Sequence, residues 1–248
     1  MIGFFDAALH PLKGLGFLLR RPALWPPALA AFAVNVVLFT AGLVAFFVWL
    51  PDLARAVTPD RLPAWTAWIF GLLIAAAGLL STVFLFTIVG HAVAAPFLDS
   101  LAERALRDLG ETLPPPPSFA RSLLRGLGGQ LLKLALFGVI QGALLLTLVT
   151  PLGLVYPVLA GTVAAFFFAL EYVDYPLGAR GLGAGERPGF VVRRARPCLG
   201  FGAACLLLHM IPLLAYIALP ASVCGAALLV HRLAPPLTGS DAGPKKEG

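Results

Sequence analysis

Two arginines, Arg20 and Arg21, stand directly before Pro22 and a long apolar run. That arrangement suits a small anion. The guanidinium groups supply charge and forked donors, and the first amides of a helix opening near Ala23 and Leu24 supply N–H groups at the positive end of its dipole. The same pair also suits an anchor at a membrane border, and residue types leave both readings open. Glu171 and Asp174 close another apolar run. A bare charge at the centre of a bilayer costs several kcal/mol, so each acid is expected to meet water, an arginine or backbone donors, with a coupling-ion or proton role as the second reading. Asp174-Tyr175-Pro176 has the composition of a cap or turn. Asn35, inside the first run, is expected to bond a neighbouring helix for about 1 kcal/mol, with solute contact as the alternative. His91 and His209 each stand alone in apolar sequence, which favours neutral, hydrogen-bonded packing over metal ligation.

Other chemistries find little support. The sequence has no H-E-x-x-H, no G-x-S-x-G and no acidic metal cluster, which argues against an enzyme. Gly126-Leu127-Gly128-Gly129 follows no strand and lacks the Lys-Ser/Thr of a phosphate loop, so neither a nucleotide nor any other cofactor is expected. The net charge of +6 is spread over the polar segments. It forms no basic stripe with interleaved aromatics, so nucleic acid is not an expected partner.

The elements that must position these residues are set by four stretches without Asp, Glu, Lys or Arg: Pro22–Pro51, Leu62–Leu98, Leu134–Leu170 and Pro197–His231. About 20 apolar residues at 1.5 Å each cross a ~30 Å hydrocarbon layer. With a mean hydropathy of +0.91, the chain reads as an all-α integral membrane protein, one domain over 1–232 with a disordered tail over 233–248. The first run is longer than a signal-peptide core and is expected to be retained as an anchor. Cys198, Cys205 and Cys224 all lie in the fourth run, form no C-x-x-C pair and read as small buried apolar residues. A cytoplasmic N-terminus would put 16 of the 18 Lys and Arg on one side, which predicts cytoplasmic N- and C-termini.

The first two runs predict two long transmembrane helices. The third carries Pro151, Gly153 and Pro157 near its middle, and the fourth carries Pro212 and Pro220. Each predicts a Pro/Gly-broken helical hairpin that crosses the bilayer wholly or in part. Helical periodicity predicts amphipathic interfacial helices over Phe4–Leu19, Phe97–Leu109 and Phe119–Lys133. Gly110 should stop the second of these, and Pro114–Pro117 should form a stiff linker.

Three motifs in order then resemble one family: Ala95-Pro96-Phe97 with Leu101-Ala102-Glu103, next Glu171-Tyr172-Val173-Asp174-Tyr175-Pro176, and last Phe201-Gly202, Ile211-Pro212-Leu213, Pro220 and Cys224-Gly225-Ala226. Together they resemble the CysZ sulfate permeases of the etoposide-induced-protein superfamily over roughly residues 4–232. The resemblance implies an inner-membrane homo-oligomer with two long helices and partly penetrating hairpins, admitting sulfate for cysteine synthesis. It also implies structural or functional roles for Asn35, Pro96, Phe97, Glu103, Glu171, Asp174, Tyr175, Pro176, Pro212, Pro220 and Gly225. The family's Gly-Leu-Arg motif after a proline is replaced here by Ala23-Leu24-Trp25 behind Pro22, with Arg20 and Arg21 upstream. The expected activity is an ATP-independent permease for sulfate or a related small anion, with the bilayer and that anion as partners. The rival is a non-transporting membrane scaffold or membrane-shaping protein of the same superfamily.

Overall fold

The computed structural model describes residues 2–57, 64–115 and 118–235, and the described residues contain no strand. The helices run in order α1 (Phe4–Ala8), α2 (His10–Leu19), α3 (Trp25–Val57), α4 (Ala64–Asp108), α5 (Phe119–Leu145), α6 (Tyr156–Ala179), α7 (Glu186–Arg193), α8 (Ala195–His209) and α9 (Pro212–Leu233). A helix keeps every backbone bond inside its own segment, which is what a solvent without hydrogen bonds demands. Among the described residues, Pro22–Asp52, Gly128–Val149 and Gly153–Ala179 are long and apolar enough to cross a bilayer. Their outward side chains, including Phe47 and Val48 on α3 and Val139 and Val158 on the second pair, are exposed apolar groups suited to lipid.

The third run breaks where its prolines stand. Two 3-10 turns, Leu146–Val149 and Pro151–Val155, separate α5 from α6. Thr147 Oγ1 donates to the Leu144 carbonyl and Thr150 Oγ1 to the Thr147 carbonyl, so the hydroxyls satisfy acceptors that the break frees. The fourth run breaks at Met210–Ile211, and Pro212 opens α9 in its first turn, where a proline loses nothing. The 15 residues of α8 span about 22 Å, less than the hydrocarbon layer.

Several expectations are corrected. Phe97–Leu109 is no separate interfacial helix, because α4 passes through Pro96 and continues to Asp108. Burial explains the continuity: Ala94, Ala95, Leu98, Leu101, Ala102, Ala105 and Leu106 are packed inside the protein, which offsets the bond lost at the proline. The apolar side of this segment therefore faces core, not lipid. Gly110, at φ +86°, does stop the helix. Phe119–Lys133 likewise continues unbroken into α5. Pro176 and Pro220 sit inside α6 and α9 without ending them, and the turn expected at Asp174–Pro176 falls instead at Gly181, φ +80°. Pro116, Pro117, the tail from 236 onward and the His91 side chain lie outside the described residues.

At the centre stands α9, with Ser222, Val223, Cys224, Ala226, Ala227, Leu229 and Val230 buried and α2, α4, α6 and α8 packed around it. Glycines permit the close approach. A Cβ on Gly14 of α2 would meet the backbone of Ala221 and Gly225 on α9, and one on Gly225 would meet that of His10 and Pro11. A Cβ on Gly200 would run into the Phe4 carbonyl, and one on Gly202 into the Ala165 carbonyl. The three cysteines are buried and free.

The α1–α2 segment keeps its expected amphipathic pattern, with a division of labour. Ala7, His10, Pro11, Gly14 and Leu18 pack inward, while Phe5, Leu9, Leu12 and Leu19 are exposed. His10 is fully buried, and its Nδ1 lies 2.8 Å from the Asp6 carbonyl. A carbonyl only accepts, so Nδ1 carries the proton. Nε2 is buried with no hydrogen-bond partner among the described residues. Burial therefore pushes the His10 pKa below its usual 6.5, more than the bond to Asp6 raises it.

Two outcomes follow for purified protein in detergent. Gly14→Leu and Gly225→Leu should each destabilise by about 1–3 kcal/mol or more, read as a lower thermal midpoint. Gly16→Leu, whose Cβ meets nothing within 4 Å, should leave the midpoint unchanged. Docked His10 resists a proton that undocked His10 accepts near pH 6.5. Its stability contribution is thus complete above about pH 6.5 and declines as pH falls below it. The midpoint should drop between pH 7.5 and 5, and His10→Phe should flatten that drop.

Candidate functional site

The last turn of α2 delivers Arg20 and Arg21 to the head of α3. A 3-10 turn over Pro22–Leu24 joins the two helices, and its amides are partly spent: Leu24 N–H donates to the Arg21 carbonyl at 3.0 Å and Trp25 N–H to the Pro22 carbonyl. Leu24 is also fully buried. The amide of Leu24 is therefore spent within the turn.

Those side chains line a cavity of about 560 Å³, formed by Lys13, Gly16, Phe17, Arg20, Arg21 and Leu228. Arg21 stacks over the Phe17 ring at 3.7 Å and pairs through Nε with Asp108 at 3.1 Å, which ties the corner to the end of α4. Arg104 of α4 donates to the Ala23 carbonyl at 3.1 Å, and Trp25 Nε1 donates to the Leu18 carbonyl at 3.0 Å. Lys13 pairs with Asp6 at 2.7 Å, and that bond holds the exposed Asp6 carboxyl below its usual pKa. Arg20 is exposed and has no side-chain partner among the described residues. Of the cations that line the cavity, it is the one without a salt-bridge partner among the described residues.

A second set of charges lies where α5, α6 and α7 meet. Lys133 Nζ is 2.9 Å from Glu171 and 3.3 Å from Asp174, and Arg187 holds the other Asp174 oxygen at 3.0 Å. Two cations thus face two acids, and Arg187 Nε also donates to the Leu182 carbonyl. The expected compensation of Glu171 and Asp174 is found, with lysine as well as arginine supplying it. A third set closes the ends of α4, α6 and α9. Glu111 is buried, takes a bidentate grip from Arg180 at 2.8 and 2.5 Å, and lies 2.6 Å from His231 Nδ1.

The remaining predicted residues do not converge on the cavity. Asn35 donates to the Ala31 carbonyl of its own helix at 2.9 Å, not to a neighbouring helix as expected. Glu103 pairs with Arg107 one turn on, and Tyr175 and Pro176 are buried on α6. Pro96, Pro212, Pro220 and Gly225 lie on the helix paths and crossings described above, and Phe97 packs partly buried against the core. His209 is hydrogen-bonded as expected, its Nδ1 to the Cys205 carbonyl at 2.7 Å and its Nε2 to the Tyr172 hydroxyl at 2.6 Å. No group of three potential metal ligands occurs among the described residues. Sequence reasoning gave no site role to Lys13, Lys133, Glu111, Arg180, Arg187 or His231. The available signal for Lys13 was its place three and seven residues before Gly16 and Arg20, one helical face.

The fold and its charged corner define a class: an all-helical, multi-pass membrane protein with a cation-lined cavity where an amphipathic helix meets a span. Comparison with known proteins narrows it. The family described as "Sulfate transporter CysZ/Etoposide-induced protein 2.4" matches residues 10–220, and this chain belongs to that family. Similar relatives, each named "Sulfate transporter CysZ", occur in Pseudomonas paraeruginosa (31% identical, 85% of this chain and 89% of the relative) and Pectobacterium atrosepticum (30%, 79% and 74%). Another occurs in Pseudomonas syringae pv. tomato (28%, 85% and 86%).

Arg180→Met leaves the buried Glu111 carboxylate with His231 as its remaining partner and should cost about 3 kcal/mol, read as lost thermal stability in detergent. Adding Glu111→Gln should recover most of that loss, and this non-additivity separates a charge effect from simple overpacking.

Proposed function

We propose that this protein is an ATP-independent permease for sulfate or a related small anion, acting passively or with a coupled ion. Family membership supports the solute class, and exposed Arg20 at the rim of the cation-lined cavity carries the choice of site. Arg20 and Arg21 would draw the anion from water. With the Leu24 amide already bonded, the guanidinium groups and the Ala23 amide would bind it. The protein would work as a homo-oligomer in a bacterial inner membrane with both termini in the cytoplasm. The Pro22-Ala23-Leu24-Trp25 replacement, and acids already paired with Lys13 and Arg21, favour one rival: a membrane scaffold that moves no solute.

Labelled-sulfate uptake into phosphatidylcholine liposomes tests the choice. Saturable uptake is expected, and Arg20→Ala/Arg21→Ala should lower it about tenfold or more, the scale of one lost charge-assisted hydrogen bond. No uptake above empty liposomes by correctly inserted protein would favour the scaffold. Unchanged uptake in the double variant would remove Arg20 and Arg21 from the path.

A further inference from the structure

Helix α2 presents three faces. His10, Pro11, Gly14 and Leu18 are buried against the core, Leu12 and Leu19 are exposed apolar groups, and Lys13, Gly16, Phe17 and Arg20 line the cavity. An exposed leucine face beside a lysine and arginine face is the pattern of a helix lying in the plane of a membrane interface, with leucines among acyl chains and cations at headgroup level. Phe5 and Leu9 continue the apolar face along α1 and its junction. A helix lying so would open the cavity at the depth of the lipid phosphates.

We propose that this cavity holds the phosphodiester headgroup of an anionic phospholipid. Its charge fits. Lys13, Arg20 and Arg21 are offset by Asp6 and Asp108, which leaves one net positive charge for one phosphodiester. Its shape fits as well. Gly16 leaves open space along the cavity wall, Phe17 and Leu228 give apolar contact for the glycerol, and Leu12 and Leu19 continue the surface toward the chains. Basic pockets at this depth are where anionic headgroups bind. The headgroup would use the same cations as the proposed anion entry, so lipid and sulfate would compete for this cavity, while the lipid inference itself rests on the lie of α2 and its charge.

The test is native mass spectrometry of the full chain in neutral detergent, titrated with phosphatidylglycerol, phosphatidylcholine or inorganic phosphate. Phosphatidylglycerol should give a saturable first adduct about tenfold tighter than phosphatidylcholine. Lys13→Gln should weaken it about fivefold, the scale of one basic residue near a membrane surface. Gly16→Leu, which fills the cavity wall without changing charge, should weaken it too. Millimolar inorganic phosphate should leave the adduct in place. Equal retention of the two lipids, unchanged retention in both variants, or displacement by inorganic phosphate would each overturn the proposal. Sulfate uptake in liposomes of phosphatidylcholine alone contains no anionic lipid, so the transport reading stands or falls separately.

Discussion

Close approach of helix backbones is the constraint on which this structure depends. Inside a bilayer the lipid tails are as apolar as leucine, so burying apolar surface gives helices little reason to associate. Association has to come from packing at short range, and α9 is built for it. Its Gly225 meets α2 across Gly14, and its Cys224, Ala226 and Ala227 are small enough to be fully enclosed. Gly200 and Gly202 repeat the device where α8 meets α1 and α6. The long apolar side chains are displaced outward, which leaves α3 and α5 facing lipid along most of their length.

Charge is arranged by the same economy. The inward ions are paired across distant segments: buried Glu111 with Arg180 and His231, and the partly buried Lys133 with Glu171 and Asp174. Each pairing joins segments far apart in sequence, so it fixes how helix ends meet while keeping bare charge out of hydrocarbon. Arg21 and Arg104 do this for the head of α3. Arg20 stands apart from these pairings at the edge of the cavity, and this separates a cation that holds the fold from one that can meet a ligand.

Much of the architecture was legible in the chain. The charge-free runs marked the membrane-embedded helices, and Pro151, Gly153, Pro157 and Pro212 marked both hairpin breaks, because a proline that lacks neighbours to offset its lost bond ends a helix. Pro176 and Pro220 misled for the same reason in reverse. Each is held inside a packed helix by neighbours that no local pattern reveals. The periodicity of Phe97–Leu109 was read correctly as amphipathic, but periodicity cannot tell a face turned to protein from one turned to lipid. The candidate site was half legible: Arg20 and Arg21 stood out by their place before Pro22. The closure of the Leu24 amide, the partners of Glu171 and Asp174, and the Glu111 grip depend on contacts between distant segments.

The Lys133 pairing also bears on how the chain enters its membrane. Lys133 and Glu171 are 38 positions apart, so the ribosome delivers the cation well before its counter-ions. Until α6 emerges, α5 carries a charge that disfavours deep insertion, and α6 alone carries two of the opposite sign. The two become a matched unit only when they lie side by side. Either helix alone would bring uncompensated charge toward hydrocarbon, and side by side the two cancel most of it.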